Sequence, residues 1–528
     1  MMVYITNILN LIFLSIFSFS INFYFGNLGV FPIDTFAFFD TGYLILKDQI
    51  PIKDIWISTG LGVDILQSFF FRVFGVSWNS YLIHSSLMNM FACLFFYYFF
   101  LRLSINKFLV LSYCIFISSL LYPMIGTPYH YHHALIFSLI GILVLCAAIK
   151  DQKNYLWFVL PIIFLFAFLF MQTPSIYIIF LSGLIIFFNL ILKKNFKNII
   201  FLVGGVFTSI LLFFLFLYIF QIPLLEFINQ YILFPSSIGI SRILGEDSAF
   251  VALNSNFNLK SVVGHFKFFH LILIILIYCL ISCLRQNNYK NNDIIIFLLI
   301  ISSSYLFIFS QLITANQTFI FSLIPIIGLF AHYGIKNYGK KNIFLNLIVV
   351  LIVSISSFKY FFEYVLDRKF IDLQSVKLSK AIEANSINSK FKGLRWISHI
   401  YPNNPSIEIK IIQQSLDIIK SDKKIKMVIT DYQFFSILLD EELNNLNRWY
   451  THDNNSYPLK DNKYFKIYEN FINNKIKNNN IEVIYIIDSN AKNNINIENF
   501  KIFLPEYCFK SKQIIEGVFS KHEITKCN

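Results

Sequence analysis

Long apolar stretches recur from the first residues to about Leu366, separated by short polar connections. A helix needs about 20 apolar residues to cross a hydrocarbon core roughly 30 Å thick. The pattern therefore predicts a span at 3–25 and others near 80–101, 108–123, 133–149, 155–172, 175–192, 198–220, 268–284, 294–313, 317–335 and 342–358, about eleven altogether. The run GLGVDILQSFFFRVFG, Gly60 to Gly75, is short for a span and carries Asp64 and Arg72, so it reads as a helix lying in the membrane interface. The first span has no basic segment before it and no small-residue cleavage site after it, which predicts a retained anchor.

Beyond Leu366 the pattern changes. In PSIEIKIIQQSLDIIKSD, Ile411, Ile412, Leu416 and Ile419 fall at helical spacing, and IKMVITD follows as a β-branched strand ending at Asp431. KYFKIYENFINNKIKNNN and IEVIYIID repeat the order, ending at Asp488. Helix alternating with buried strand predicts a short, largely parallel sheet, with both acids at carboxyl ends of strands. No glycine-rich phosphate loop accompanies them, which favours turn or capping roles over ligand binding. The fold class is thus mainly α, a polytopic helical bundle over 1–366 with a small α/β domain over 367–528, entered through a polar connection from Arg368 to about Tyr401.

Composition strengthens the membrane reading. The 528 residues are 56% hydrophobic and 14% charged, with 63 Phe, and the mean hydropathy is +0.62, outside the range of ordinary soluble domains. The formal net charge of +13 does not point to nucleic acid, because Lys and Arg sit in short connections and the tail without a basic stripe or nucleic-acid motif. Basic residues instead mark alternate connections: Arg102 and Lys107; Lys150 and Lys153; Lys193, Lys194 and Lys197; Arg285 and Lys290; Lys336, Lys340 and Lys341. By the positive-inside rule those face the cytoplasm. The expectation is a multi-pass protein of the plasma (inner) membrane in contact with membrane lipid. Its amino terminus is cytoplasmic, and the connections 26–79 and 221–267 share the extracytoplasmic side with the tail.

The spans carry few ionisable groups beyond His84, His270 and His332, which argues against an ion-coupled transporter. Acids crowd the first connection instead: Asp34, Asp40, Asp48, Asp54 and Asp64, with Lys47, Lys53 and Arg72 among them. An Asp just past the first span, then YLILKDQIPIKDIW, then an interfacial helix ending FRVFG before SWNSYLIHSSLMN, resembles the opening of the GT-C glycosyltransferases, such as lipid A aminoarabinose transferases and protein O-mannosyltransferases. The resemblance runs from Phe31 to about Leu103. It departs from the family where Thr35 follows Asp34, where Ile52 replaces the usual aromatic, and where STGLG replaces a Pro-containing turn.

The resemblance implies a sugar donor on a polyprenyl phosphate, a glycan, lipid or protein acceptor, and a site in the first outer connection. Asp34 stands in the place of the family's catalytic acid, where a carboxylate takes the proton of an attacking hydroxyl; N-cap and metal-ligand roles stay open beside it. Asp40 and Asp54 are secondary candidates. Lys53, Arg72, Gln172, Arg242, His130, His132 and His133 are candidates for the donor phosphate, with interface packing or a metal as the other roles for the histidines. No cofactor is identified from these residues, and a divalent metal is left open. A lipid-linked glycan flippase or exporter and a non-catalytic envelope-assembly scaffold are the alternatives. Cys93, Cys114, Cys146, Cys279 and Cys283 fall in spans. Cys508 and Cys527 flank QIIEGVFSKHEI in the tail, a hairpin-like stretch that predicts a disulfide, with two free thiols as the alternative.

Overall fold

The computed structural model describes residues 2–193, 197–244, 258–286, 292–314, 319–339, 342–452, 454–488 and 495–527. Lys194, Lys290, Lys340 and Lys341, among the basic residues that mark sidedness, lie outside them. The protein is mainly helical, with a small sheet near its carboxyl end. Two compact units are formed, and neither is continuous in sequence: the first is 1–25, 85–216 and 251–370, the second 26–84, 217–250 and 371–528.

The first unit holds most of the apolar helices. Among the described residues eight helices are long and apolar enough to cross a membrane. Three others at predicted spans, Lys107–Leu121, Asn154–Phe170 and Leu323–Tyr338, have 15, 17 and 16 residues, about 22–26 Å at 1.5 Å per residue. The last begins six residues later than the sequence pattern suggests. Outward-facing residues are apolar: the Lys197–Ile219 helix exposes Val203, Phe207, Leu211 and Phe214. Such a surface suits lipid and not water.

With no hydrophobic drive between helices in lipid, buried polar groups supply contacts. Asn22 donates to Ser85, Ser86 and the Gly126 carbonyl, at 3.0, 3.0 and 3.1 Å. Asn89 donates to the carbonyls of Ser18 and Ser118.

The second unit is assembled from three distant segments. Its strands are β1 (Ile382–Glu383), β2 (Arg395–Trp396), β3 (Lys426–Thr430), β4 (Val483–Ile487), β5 (Tyr507–Ile515) and β6 (Phe519–Lys526). The larger sheet has the order β3-β4-β6-β5. Only β3 and β4 run parallel; β4 with β6 and β5 with β6 are antiparallel. The largely parallel sheet expected from helix–strand alternation is therefore a mixed one, because the last two strands form a hairpin turning at Gly517, φ +68°. The helices Pro405–Ser421 and Phe465–Asn478 precede β3 and β4. Asp431 follows β3 and Asp488 follows β4, both buried, with Asp488 accepting from the Ile495 amide at 3.2 Å. Cys508 and Cys527 are joined, their Cα atoms 5.1 Å apart.

The core of this unit draws on all three segments. Trp56 from the first and Phe234 from the second pack with Met427, Ile429, Leu446, Tyr468 and Ile484 from the third. A second aromatic cluster joins Phe36, Phe391, Trp396 and Phe434; Phe36 and Phe434 centroids are 4.8 Å apart, edge to face. Fully burying one such ring contributes about 1.5–3 kcal/mol.

Candidate functional site

The acid-rich connection is shaped by two helices and by residues of the tail. Past the first long helix, Met2–Gly26, the chain is laid against β2: Arg395 N–H donates to the Asn27 carbonyl at 2.8 Å, Gly29 N–H to Arg395 O at 3.0 Å, and Val30 N–H to Ile397 O at 2.9 Å. The short helix Pro32–Thr35 follows, with Pro at its first position, where a missing N–H costs nothing. Phe31 is its N-cap, and the Thr35 hydroxyl accepts from the Phe31 N–H at 2.8 Å. Asp34 lies inside this turn and is half-buried. It is not the N-cap residue.

Phe36, at φ −105° and ψ 1°, breaks the helix before Ala37–Leu46 begins. Asp34 and Asp40 thus occupy separate helices. The Ala37–Leu46 helix is buried through Ile45 and packs on the Leu61–Phe74 helix. Gly42 permits the approach: a Cβ there would stand 2.7 Å from Gln67 Cγ. Opposite the buried face, Leu61–Phe74 exposes Phe69, Val73 and Phe74.

Between these helices lies a buried polar network that reaches into the tail. Asp64 accepts from the Thr41 hydroxyl and from Arg448, and both members of the ion pair are almost fully buried. Arg448 also donates to the Thr59 carbonyl, and its guanidinium lies 4.3 Å from the Phe38 ring centroid and 5.0 Å from that of Trp449. Gly60, at φ +76°, lets the chain turn beside it: a Cβ would meet Phe38 at 2.7 Å and Arg448 Nη1 at 2.9 Å.

Asp40 accepts from Asn445, which also donates to the Ser436 hydroxyl at 3.2 Å. Burial pushes Asp40 up from 3.8 to about 7, the Asn445 and Ser436 hydrogen bonds pulling the other way. Burial also raises Asp64 to about 6, with Arg448 opposing it. Tyr43 donates to Asp440 at 2.5 Å, and Lys47 pairs with Asp440 at 3.1 Å.

Asp54 closes its own turn: its Oδ2 accepts from the Ile50 N–H at 2.8 Å, and its carbonyl accepts from Lys475. Lys475 also donates to the Asn445 carbonyl at 3.0 Å, and burial pulls its pKa down to about 8. Within this turn Ile52 adopts φ +70°, a strained setting for a β-branched residue that costs about 1–3 kcal/mol. Gln230, from the 217–250 segment, holds it by donating to the Ile52 carbonyl at 2.8 Å and accepting from the Ile57 N–H at 3.3 Å.

The remaining candidates separate by unit. Lys53 and Arg72 belong to the second unit and are exposed. Arg242 belongs there too, half-buried and donating to Asn455. Gln172 is in the first unit, at the head of the Gln172–Lys193 helix. His130, His132 and His133 are also in the first unit, buried in the first turn of His130–Asp151 among the rings of Tyr122, Tyr129, Phe170 and Phe319. His133 Nδ1 meets the Tyr122 hydroxyl and the Tyr129 carbonyl. Among the described residues no group of three or more His, Cys, Asp or Glu is arranged to hold a metal ion.

Asn445, Arg448 and Lys475 have no motif around them in the sequence; LNNLNRWYTH reads as an aromatic-polar loop. The partners of Asn445 and Arg448 lie 405 and 384 residues earlier, at Asp40 and Asp64. In comparison with known proteins, the sequence matches no family model and no curated protein.

Proposed function

We propose that the chain is an inverting membrane glycosyltransferase of the GT-C type. It transfers a sugar from a polyprenyl-phosphate donor to an envelope glycan, lipid or protein acceptor at the outer face of the membrane. The observation that carries the reading is how the carboxylates of the first connection divide. Asp40 and Asp64 are sealed inside with Asn445 and Arg448, and Asp54 caps its own turn. Asp48 is exposed in the turn that follows the Ala37–Leu46 helix, away from the clamped strand, and Asp34 is half-buried at the end of a segment clamped to Arg395–Ile397. A general base needs a fixed position and access to the proton it takes, and Asp34 combines the two.

In the proposed step the acceptor hydroxyl oxygen bonds to the anomeric carbon as the carbon–oxygen bond to the lipid phosphate breaks. Asp34 takes the hydroxyl proton, and the phosphate leaves with the bonding pair. Lys53 and Arg72, exposed cations of the same unit, are available to the developing phosphate charge.

Sidedness is supported by parity. Residues 26–84, 217–250 and 371–528 form one compact unit, so an even number of crossings must separate successive segments. Among the described residues six helices lie between the first and second, counting from Trp78–Leu101 to Lys197–Ile219, and four between the second and third. With the first helix they make the eleven crossings and the extracytoplasmic tail that the basic connections suggest. The exposed apolar face of Leu61–Phe74 fits a helix lying in the interface.

The test is incubation of the purified chain with a panel of radiolabelled polyprenyl-phosphate sugars, scoring binding and transfer. Asp34→Asn should lower transfer by roughly 10² to 10⁴ with donor binding and folding retained. Wild-type transfer by a folded Asp34→Asn protein would remove the base assignment. Absence of both binding and transfer across the panel would remove the glycosyltransferase reading.

A further inference from the structure

The first unit contains a cavity of about 140 Å³ that includes none of the candidate site residues. That is below the roughly 300–1,000 Å³ of a whole small-molecule site, so an occupant places only part of itself inside. Four helices frame it near their ends: Trp78–Leu101, His130–Asp151, Asn292–Ile313 and Leu323–Tyr338. Phe99, Leu103 and Phe330 give it an apolar wall, and Arg102, Lys150 and Asp151 give it a charged rim.

The rim charges are not equivalent. Arg102 and Asp151 neutralise each other in a 2.5 Å ion pair. Lys150 donates to the Tyr333 hydroxyl at 2.9 Å, its Nζ 4.5 Å from the ring centroid. That hydroxyl donates onward to Asp293, at 2.9 and 3.0 Å. Among the described residues Lys150 itself forms no ion pair, so an ammonium with two donors to spare lines the cavity. An apolar wall beneath an unpaired cation, at the ends of membrane-length helices, matches an amphiphile with an anionic head. A soluble anion would use the cation and leave the wall unfilled.

We propose that this cavity binds the phosphodiester headgroup of an anionic phospholipid, with Lys150 as the principal contact and the first part of an acyl chain against Phe99 and Phe330. The rim carboxylate is committed to Arg102, which leaves no free anion for the ammonium of a zwitterionic head. Cation-lined pockets between membrane helices select anionic headgroups on this basis.

Native mass spectrometry of the full chain in detergent, titrated with short-chain phosphatidylglycerol, phosphatidylcholine or inorganic phosphate, tests the assignment. The expected result is one saturable phosphatidylglycerol adduct at least ten-fold tighter than phosphatidylcholine. Lys150→Gln should weaken it about ten-fold, Lys150→Arg should retain most of it, and Lys153→Gln, at an exposed position outside the cavity, should leave it unchanged. Equal binding of the two lipids overturns the proposal, as does an unaltered adduct in Lys150→Gln. Displacement of phosphatidylglycerol by equimolar inorganic phosphate overturns the lipid as the source of the anion. Should Lys150→Gln not fold, the wild-type preference between the two lipids decides the question alone.

Discussion

Asp40 is fully enclosed, and what its environment does to its proton has a measurable result. Its folded pKa of about 7 lies above the ordinary 3.8, so between those values the folded state holds a proton that the unfolded state has released. Stability is therefore fully present below about pH 4 and is lost as pH rises toward 7, at up to about 1.4 kcal/mol per pH unit. Asp40→Asn keeps an acceptor for Asn445 and cannot ionise. Thermal unfolding of the full chain in detergent from pH 5 to 8 should show a shallower decline for the variant than for wild type. Parallel curves would mean that Asp40 is ionised in the folded protein. Asp64 is held differently, by a buried cation. Removing one member of a buried pair strands the other, at about 3–5 kcal/mol. Arg448→Met should therefore destabilise by that amount, and adding Asp64→Leu should recover part of it because two apolar side chains leave no orphan charge. If the double variant is no more stable than Arg448→Met, the ion pair is not the source of the loss.

At the scale of elements, helix existence was legible in the sequence, whereas pairing was not. Each apolar stretch read as a span holds a helix, with ends displaced by a few residues, because apolar length alone decides that a segment helically satisfies its own backbone in lipid. The tail helices Pro405–Ser421 and Phe465–Asn478 were legible for a related reason, their apolar residues repeating at helical spacing. Strand order carries no such local mark. Val428 and Ile486 lie in strands buried on both faces, which suggested a parallel sheet, yet β6 pairs antiparallel with both β4 and the mostly exposed β5, and that makes the sheet mixed. The network around Asp40 and Asp64 was half legible: the acids stood out in an apolar context, while Asn445 and Arg448 looked like loop residues. Gly42 is a further case, since nothing in AFFDTGYLIL announces that another helix passes there. Gly42→Leu would drive a side chain into Gln67 at its Cβ and Cγ, close to the backbone and not at a yielding tip. The expected loss is about 1–3 kcal/mol from overpacking, read by thermal unfolding. Gly42→Leu unfolding at the wild-type temperature would show that the two helices are free to separate.

For the whole molecule the decisive question is which side of the membrane each connection faces, and one compact unit constrains three connections together. Residues 26–84, 217–250 and 371–528 share a core in which Trp56, Phe234 and Met427 meet, so they have to be reached from the same side. The eight longest apolar helices alone do not satisfy this condition. Four of them lie between the first and second segments, but only three, 267–285, 292–313 and 343–371, between the second and third, and an odd number would put the tail opposite its own core. Counting Leu323–Tyr338 as a crossing restores the parity, although its 16 residues span only about 24 Å; local thinning or tilt of neighbours can accommodate such a mismatch. Single cysteines test this directly, since Cys93, Cys114, Cys146, Cys279 and Cys283 are buried and Cys508 is bonded to Cys527, which keeps background labelling low. Arg72→Cys, Ser236→Cys and Lys420→Cys occupy exposed positions in the three segments. All three should react with a membrane-impermeant maleimide added to the outside of intact cells. Lys107→Cys and Lys153→Cys, in the basic connections, should react only after the membrane is opened. Labelling of Lys420→Cys from the face opposite Arg72→Cys would break the parity, and with it the placement of Asp34 and the tail at one outer-face site.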